Sequence, residues 1–569
     1  MILQQLGKDA DHLVDLPPPS YDWRPVKWVV HLEEDGWVHW PPEPMSGGEG
    51  RRDRGKPMLV PVRGRTSAIQ PLLLADKVTY TWGMPTEHKR AREERAAYLD
   101  LLDRCAEETG NEDVALIARF LRAWDPRCYP LPEMQPDELT TFSVAGRFPV
   151  DDAAVRQFWA RVASGGDAAG VPGQCLVCGQ HTQVIERLPV LVKGIPGGQP
   201  SGVALVSANE DAFESYGRSA GLTSPICHAC GERFGKATNA LLQDDKKHLN
   251  VGPVAYLFWA PESDFDPVDF LRDPQPEDVR ELLLSARVGR PPAPGDDTPF
   301  YATAVSAAIS RAVFRGWLHT TVAEARRNLE RWFRLQRLIG HDGQEGKSLS
   351  VFRLAVSLYR DAREMSARVP DSLLHVALNG GPLPAWLLAQ AVRRNQAEQR
   401  VTYPRAALIK AVLCSQQKED PTSMERLAPN NRDPAYLCGR LLAELEWIQR
   451  AAINPRATLV DRYYGTASSA PASVFGTLLR NAQAHLGKLR KERRGAEVRL
   501  QQQLEEILRD LDHWPPTLTL KDQALFALGY YHQRAENRRA AQEAKQKGLS
   551  QEEAPVELAD DTEEGESDA

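Results

Sequence analysis

Two cysteine pairs, Cys175-Leu176-Val177-Cys178 and Cys227-His228-Ala229-Cys230, constrain this chain more than anything else in it. A two-residue gap lets both thiolates of a pair face one ion, and two such pairs supply the four ligands of a closed tetrahedral shell. Gly179 and Gly231 directly follow the pairs, which suits the tight turns such knuckles need. The 48 residues between the knuckles exceed the roughly 15–20 of an ordinary zinc ribbon, so a small folded insertion is expected there. Cys175, Cys178, Cys227 and Cys230 are read as the ligands of a structural zinc, because four thiolates leave no coordination position for a substrate. Four unrelated buried thiols are the alternative, but two matched pairs arise rarely by chance. A redox role fits less well, since no thioredoxin-like βαβ unit surrounds either pair. Cys105, Cys128, Cys414 and Cys438 are isolated, and His228 is read as a surface residue rather than a ligand.

At 569 residues the chain is long enough for roughly three or four domains. Its 42% hydrophobic and 26% charged residues are ordinary for a globular protein with sizeable cores. No apolar run approaches the roughly 20 residues of a membrane helix, and Met1–Leu6 has no secretory pattern. Eight cysteines over this length do not make a disulfide framework, so a cytoplasmic, reducing location is expected. The formal charge of −7 comes from the end of the chain. Residues 551–569 hold nine acidic side chains and no Lys or Arg, and the remainder carries a formal +2. Such a tail buries too little apolar surface to fold and is expected to be disordered. Nucleic-acid contact would have to come from local patches rather than a global field.

The first 320 residues mix strand and helix patterns. Strands are predicted at Trp28–Leu32, Lys56–Val62, Val184–Val192, Val203–Val206 and Val254–Trp259. Helices are predicted near 86–108, at 112–124 behind Asn111, after Asp151-Asp152, and from Thr321 to about Leu338. From about 348 the pattern is helical throughout. Asp433-Pro434 opens a helix with Leu437, Leu441, Leu445 and Ile448 on one stripe. Phe475–Leu489 and Leu500–Leu511 carry two more, and a fourth is expected from about Thr519. Four amphipathic helices on short links predict a bundle.

Residues 51–65 carry Arg51, Arg52, Arg54, Lys56, Arg63 and Arg65 against Asp53 alone, a run able to lie along a phosphate backbone. The loop Lys193–Gly202 combines glycines that permit close approach with a cation, an amide and a hydroxyl. Gln199 there has the donor and acceptor set that reads a base edge. It is not a phosphate-binding P-loop, because the Gly-Lys-Ser/Thr ending is missing. Arginines at 326, 327, 331, 334 and 337, and the basic cluster 488–494, lie on predicted helices, where charge often serves solubility. No HExxH, GxSxG or kinase-type set occurs, so a non-catalytic protein is expected. A zinc-dependent nuclease is the alternative.

Several segments together resemble the large subunit of type I-C CRISPR-associated effector complexes. They are Met1–Leu6, Leu16–Pro19 leading to Tyr21-Asp22-Trp23, Ser207–Gly217 behind the Lys193–Gly202 loop, Ala435–Leu441, and Leu525–Arg534. The matches run in order over nearly the whole chain. Ala208 stands where that family usually has an aromatic residue, and the second knuckle is not universal in it. The zinc reading therefore rests on this chain's own cysteines. The resemblance implies a non-catalytic subunit of a guide-RNA surveillance complex in antiviral defence. Such a subunit recognises a short adjacent motif in duplex DNA, aids strand separation, guides the displaced strand and recruits a separate helicase-nuclease. The implied partners are guide RNA, target double-stranded DNA, the backbone and guide-end subunits, and a carboxy-terminal fragment of the chain itself. That fragment would be made from an internal start at or near Met424. Lys56, Arg63, Arg65, Gln70, Lys193, Gln199, Ser201 and Asn209 are the expected nucleic-acid contacts.

The expected fold is α+β. A mixed nucleic-acid-binding region spans 1–345, with the cysteine knuckles at 175–230. A helical connector spans 346–423, a four-helix bundle 424–549, and an acidic tail 550–569.

Overall fold

Capping side chains fix where the principal helices begin. Asn111 accepts the Val114 amide at 3.0 Å ahead of helix Glu112–Ala123, and Asp152 accepts from Ala154 and Val155 ahead of Ala153–Ala163. Thr321 opens Val322–Gln336, and Asp433, followed by Pro434, opens Pro434–Ile453. Each cap satisfies an amide that the first helical turn leaves without a partner. The computed structural model describes residues 2–13, 16–46, 54–63, 69–85, 90–164, 171–208, 210–261, 263–287, 297–308, 310–417 and 420–546. The acidic tail lies outside them.

Two compact units form. The first comprises Met1–Asp244 with Ser306–Val313, the second Asp245–Val305 with Phe314–Ala569. The positions 345 and 423, where domain divisions are expected from sequence, both fall within the second.

In the first unit, strands Val38–Pro44, Trp28–Leu32, Leu139–Val144 and Ala75–Lys77 form a sheet in that spatial order. Trp28–Leu32 runs parallel to Leu139–Val144, pairing Trp28 with Thr140 and Leu32 with Val144. Helices Ala91–Thr109, Glu112–Ala123 and Ala153–Ala163 share its core with Trp82, Tyr98, Phe142, Phe158 and Trp159. A separate antiparallel ribbon pairs Tyr21–Val26 with Lys56–Pro61. A smaller hairpin, Val171–Gln174 with His181–Val184, carries the first knuckle at its turn.

In the second unit, Val254–Trp259 is buried at every position, as a continuous apolar run requires. It lies beside Pro299–Ala308 in a four-stranded sheet ordered Arg311–Thr321, Pro299–Ala308, Val254–Trp259, His248–Val251, of which residues 306–313 at the hairpin tip count with the first unit. One continuous core joins this sheet to the helices that follow. Helix Pro434–Ile453 is its axis, with fifteen buried residues. The long helix Leu520–Gln546 crosses it at backbone contact. A Cβ on Gly439 would lie 2.0 Å from the Phe526 carbonyl, and one on Gly529 would lie 2.2 Å from that of Tyr436.

Some expectations are corrected. Val184–Val192 and Val203–Val206 are not strands. His181–Val184 ends at Val184, and beyond it only single bridges form, Val192 with Val203 and Ala204 with Arg311. Pro189, Pro196 and Pro200 cannot donate to a ladder, and the glycines among them favour turns. Among its described residues the carboxy-terminal region holds five α-helices rather than four, because Leu459–Ala467 forms with its own Thr458–Asp461 capping box. The amino-terminal helix Ile2–Leu13, whose buried Leu6, Ala10 and Leu13 stand at helical spacing, and the hairpin Pro299–Ala308/Arg311–Thr321 are additions to the expected elements. The first predicted helix begins at Ala91, with residues 86–89 outside the described set. No helix among the described residues is long and apolar enough to cross a membrane.

Candidate metal centre and nucleic-acid interface

The sulfurs of Cys175, Cys178, Cys227 and Cys230 all lie within 4.8 Å of one another. Four sulfurs held ~2.3 Å from a single tetrahedral ion would sit roughly 3.8 Å apart, so the cluster fits such an ion with small adjustment. The first knuckle is a hairpin turn closed by the Gly179 amide on the Cys175 carbonyl at 2.8 Å, and Gly179 takes a φ of +75°. The second is the entry to helix His228–Gln243, with Cys227 at its cap position. Gly231 therefore serves a different purpose from the expected turn. It is helical, and a Cβ there would lie 3.0 Å from Leu188 and 3.2 Å from Pro189. Its missing side chain lets the segment after the first knuckle pass against the helix.

The thiols are tuned by their surroundings. Burial raises the Cys175 pKa, but amide donors from Cys178, Cys227 and Val177 outweigh it and bring the thiol down to about 7. Burial pushes Cys227 and Cys230 up, with the neighbouring sulfurs adding to the effect at Cys230. The Cys175 thiolate is thus favoured, and a bound cation would offset the burial that holds Cys227 and Cys230 protonated. His228 stands apart from the sulfur cluster, with Nδ1 3.9 Å from Glu232. Burial lowers its pKa, Glu232 opposes this, and the cations of Arg63 and Lys236 add to the lowering.

Helix His228–Gln243 carries much of the first unit on its surface. Glu232 accepts the Ser20 amide and pairs with Lys236 at 2.6 Å. Lys236 donates onward to the Pro17 and Pro18 carbonyls, and Arg233 to the Gly7 carbonyl and Asp11. Gln4 closes the circuit, donating to the Val177 carbonyl inside the first knuckle at 3.1 Å. Asn239, two turns further on, accepts the Lys193 amide at 2.9 Å and donates to the Leu191 carbonyl at 3.0 Å. The glycine-rich loop therefore hangs from the knuckle helix. Its base is clamped by reciprocal Val192–Val203 bonds at 2.9 and 2.7 Å, where a Cβ on Gly202 would lie 2.7 Å from Leu191. Lys193, Gln199 and Ser201 are exposed on it, and their side chains have no partner among the described residues.

Arg63 lies close enough to act electrostatically on the first turn of the knuckle helix. It also lines a cavity of about 810 Å³ with Arg24, Arg54 and Lys77. Lys56 is exposed on the ribbon, paired across from Val26, while Pro61 beside Arg63 pairs with Tyr21 at the opposite end. Gln70 is half-buried, with its backbone N–H donating to the Tyr80 hydroxyl at 3.4 Å. Arg65 and Asn209 lie outside the described residues, as do Arg51 and Arg52.

Arg24, Arg54 and Lys77 join the site only through folding. Arg54 belonged to a visible basic run, whereas Lys77 carried no signal at all. Tyr216 is a further addition, fully exposed on the turn Ser215–Arg218. Both Tyr216 (φ +54°) and Gly217 (φ +67°) are left-handed, the geometry of a tight hairpin turn that a tyrosine seldom adopts. Three residues before Tyr216, the Arg311 guanidinium covers the Phe213 ring at 4.1 Å.

Residues 2–537 match the model of a family of CRISPR-associated proteins, Cas_Csd1. The chain belongs to that family, and its two units are those of a CRISPR-associated protein. No curated protein matches it.

Proposed function

We propose that this chain is the non-catalytic large subunit of a type I-C guide-RNA surveillance complex. In this reading it recognises a short adjacent motif in duplex DNA, helps separate the strands and recruits a separate helicase-nuclease. The observation that carries the reading is the suspension of one polar loop, Lys193–Gly202, from a helix that begins at the four-thiol cluster. Lys193, Gln199 and Ser201 offer a cation, a base-reading amide and a hydroxyl on a base clamped from two sides. Arg24, Arg54, Arg63 and Lys77 supply phosphate contacts around their cavity, with Lys56 further along the ribbon. Tyr216 is suited to act as a wedge, an exposed ring on a tight turn entering an opened base step. A zinc ion at the four thiols would be structural, holding loop, amino-terminal helix and Pro-rich segment in register.

The partners are guide RNA, target duplex and displaced strand, the backbone and guide-end subunits, and the helicase-nuclease. A carboxy-terminal fragment from near Met424 is a further partner, and the site of action is the cytoplasm.

The test is duplex retention by the assembled complex carrying Lys193→Ala, Gln199→Ala and Ser201→Ala singly. Gln199→Ala should cost about 1–3 kcal/mol and relax preference at one motif position. Lys193→Ala should weaken all duplexes alike and reduce the salt dependence. Unchanged affinity and unchanged salt dependence in all three would sink the assignment of this loop.

A further inference from the structure

The second unit holds a cavity of about 1180 Å³ that the loop-centred reading does not use. One wall is the arginine face of helix Val322–Gln336, with Arg327, Arg331 and Arg334 at positions one turn apart. Arg334 is ion-paired with Glu330, and Arg331 donates to the Gly381 carbonyl at 2.8 Å, so both are held in place. Arg327, Arg280 on the neighbouring helix and Lys347 opposite are exposed. Their side chains have no hydrogen-bond or ion-pair partner among the described residues. Glu330, Glu345 and Glu425 also line the cavity but are taken up by Arg334 and Arg337, so three uncommitted cations from three segments around it are positioned for an anion larger than a single carboxylate.

Two further features narrow the chemistry. Gln336 lines the cavity at 2% exposure. Its Oε1 accepts the Leu349 amide at 2.9 Å, but its Nε2 has no partner. A buried amide donor left without an acceptor costs about 1–3 kcal/mol, which an incoming carbonyl or ring nitrogen would recover. Val279, Leu283 and Phe333 give the same cavity an apolar side. Cations for a phosphate, an apolar surface for a flat ring and one amide donor for its edge are the recognition set of a nucleotide. The volume exceeds the roughly 300–1,000 Å³ of most small-ligand sites, leaving room for more than one nucleotide.

We propose that this cavity binds a nucleoside-phosphate unit, with Arg280, Arg327 and Lys347 on the phosphate and Gln336 Nε2 on the base edge. The unit could belong to a single strand or be free in solution. The strand source rests on the nucleic-acid reading above, whereas the free source does not.

The experiment titrates the full-length chain with fluorescent oligothymidylate across a salt series, with AMP as second probe and competitor. Arg327→Gln/Lys347→Gln is compared with the charge-keeping Arg327→Lys/Lys347→Arg. Removing two phosphate contacts should lower the salt slope of oligonucleotide binding by about 1.4 and affinity by roughly tenfold or more. The charge-keeping pair should restore both, which separates lost contact from lost fold. Oligonucleotide binding that AMP does not displace assigns the cavity to a strand. AMP binding that the glutamine pair abolishes assigns it to a free nucleotide. Equal affinity and slope in parent and glutamine pair, for both probes, overturns the proposal. Loop variants at Lys193 and Gln199, measured on duplex, report separately on the loop-centred reading.

Discussion

Among single residues, the four cysteines and two helix-crossing glycines have the largest predicted effects. Cys175→Ser or Cys227→Ser removes one ligand from a four-thiol set. Zinc analysis should show about one ion per chain in the parent and little in either variant. Because Asn239 and Gln4 tie the loop and the first helix to the knuckles, cleavage by protease within 171–208 should rise together with metal loss. A zinc-free parent with unchanged protease resistance would contradict the metal assignment. Gly439→Ala and Gly529→Ala each push a methyl into a backbone carbonyl that cannot yield. Each should destabilise the second unit by about 1–3 kcal/mol or more, read as a lower melting temperature.

Titration at two buried residues opposes itself. Burial raises the Glu444 carboxyl to about 7, with Asn537 and Arg440 acting the other way. Its folded pKa exceeds the unfolded one, so the folded state holds the extra proton and stability falls as pH rises from about 4.5 to 7. Burial lowers His532 to about 3, so here the unfolded state takes the proton first and stability falls as pH drops below about 6.5. The two slopes oppose between about pH 4.5 and 6.5. Glu444→Gln should expose the histidine slope, with melting temperature rising with pH there. His532→Asn should expose the glutamate slope, with melting temperature falling. Parallel profiles for both variants would show that these groups do not govern the pH response.

The helix pair Pro434–Ile453 and Leu520–Gln546 explains why two segments of this chain look distinctive at the level of elements. Ala435–Leu441 and Leu525–Arg534 contain the crossing glycines and the first two members, Arg440 and Gln533, of a buried polar chain. Arg440 donates to Gln533, Gln533 to Asn537 and Asn537 to Glu444, at 2.9 to 3.0 Å. Such a chain fixes the register of two helices more tightly than apolar packing alone. These helices were legible in the sequence because Asp433-Pro434 and the leucine stripes signal start and face independently. The buried chain was not legible, since Arg440 and Glu444 look like ordinary surface charges until Leu520–Gln546 covers them. The same contrast holds in the first unit. The CxxC pairs announced the four-thiol cluster by spacing alone, whereas helix Ile2–Leu13, although Leu6, Ala10 and Leu13 stand at helical spacing, showed its place against the knuckle helix only through folding. The Val184–Val206 strands were overread because valines suggest strands even where prolines forbid a ladder. The Tyr531 hydroxyl donates to the Ile339 carbonyl at 2.9 Å, and its ring lies 5.0 Å from that of His341. A fragment beginning at Met424 would lose both contacts. Expressed alone, residues 424–569 should be helical but melt below the full chain, and an equal melting temperature would argue that these contacts contribute nothing.

For the whole molecule, charge is local rather than global. The formal −7 is a sum over the chain, whereas cations line the 810 Å³ cavity in one unit and the 1180 Å³ cavity in the other, where the proposed phosphate contacts would form. Deleting 551–569, which removes nine acidic charges, should raise non-specific duplex affinity modestly at low salt and leave motif preference unchanged. A changed motif preference would place the tail in recognition. The central claim, that the chain works as one subunit of a guide-RNA complex, is tested most directly by tagging it, co-expressing it with neighbouring genes and a guide RNA, and analysing what co-purifies. A discrete guide RNA with partner subunits in fixed ratio is the predicted result. Recovery of the chain alone, free of RNA, would contradict the account.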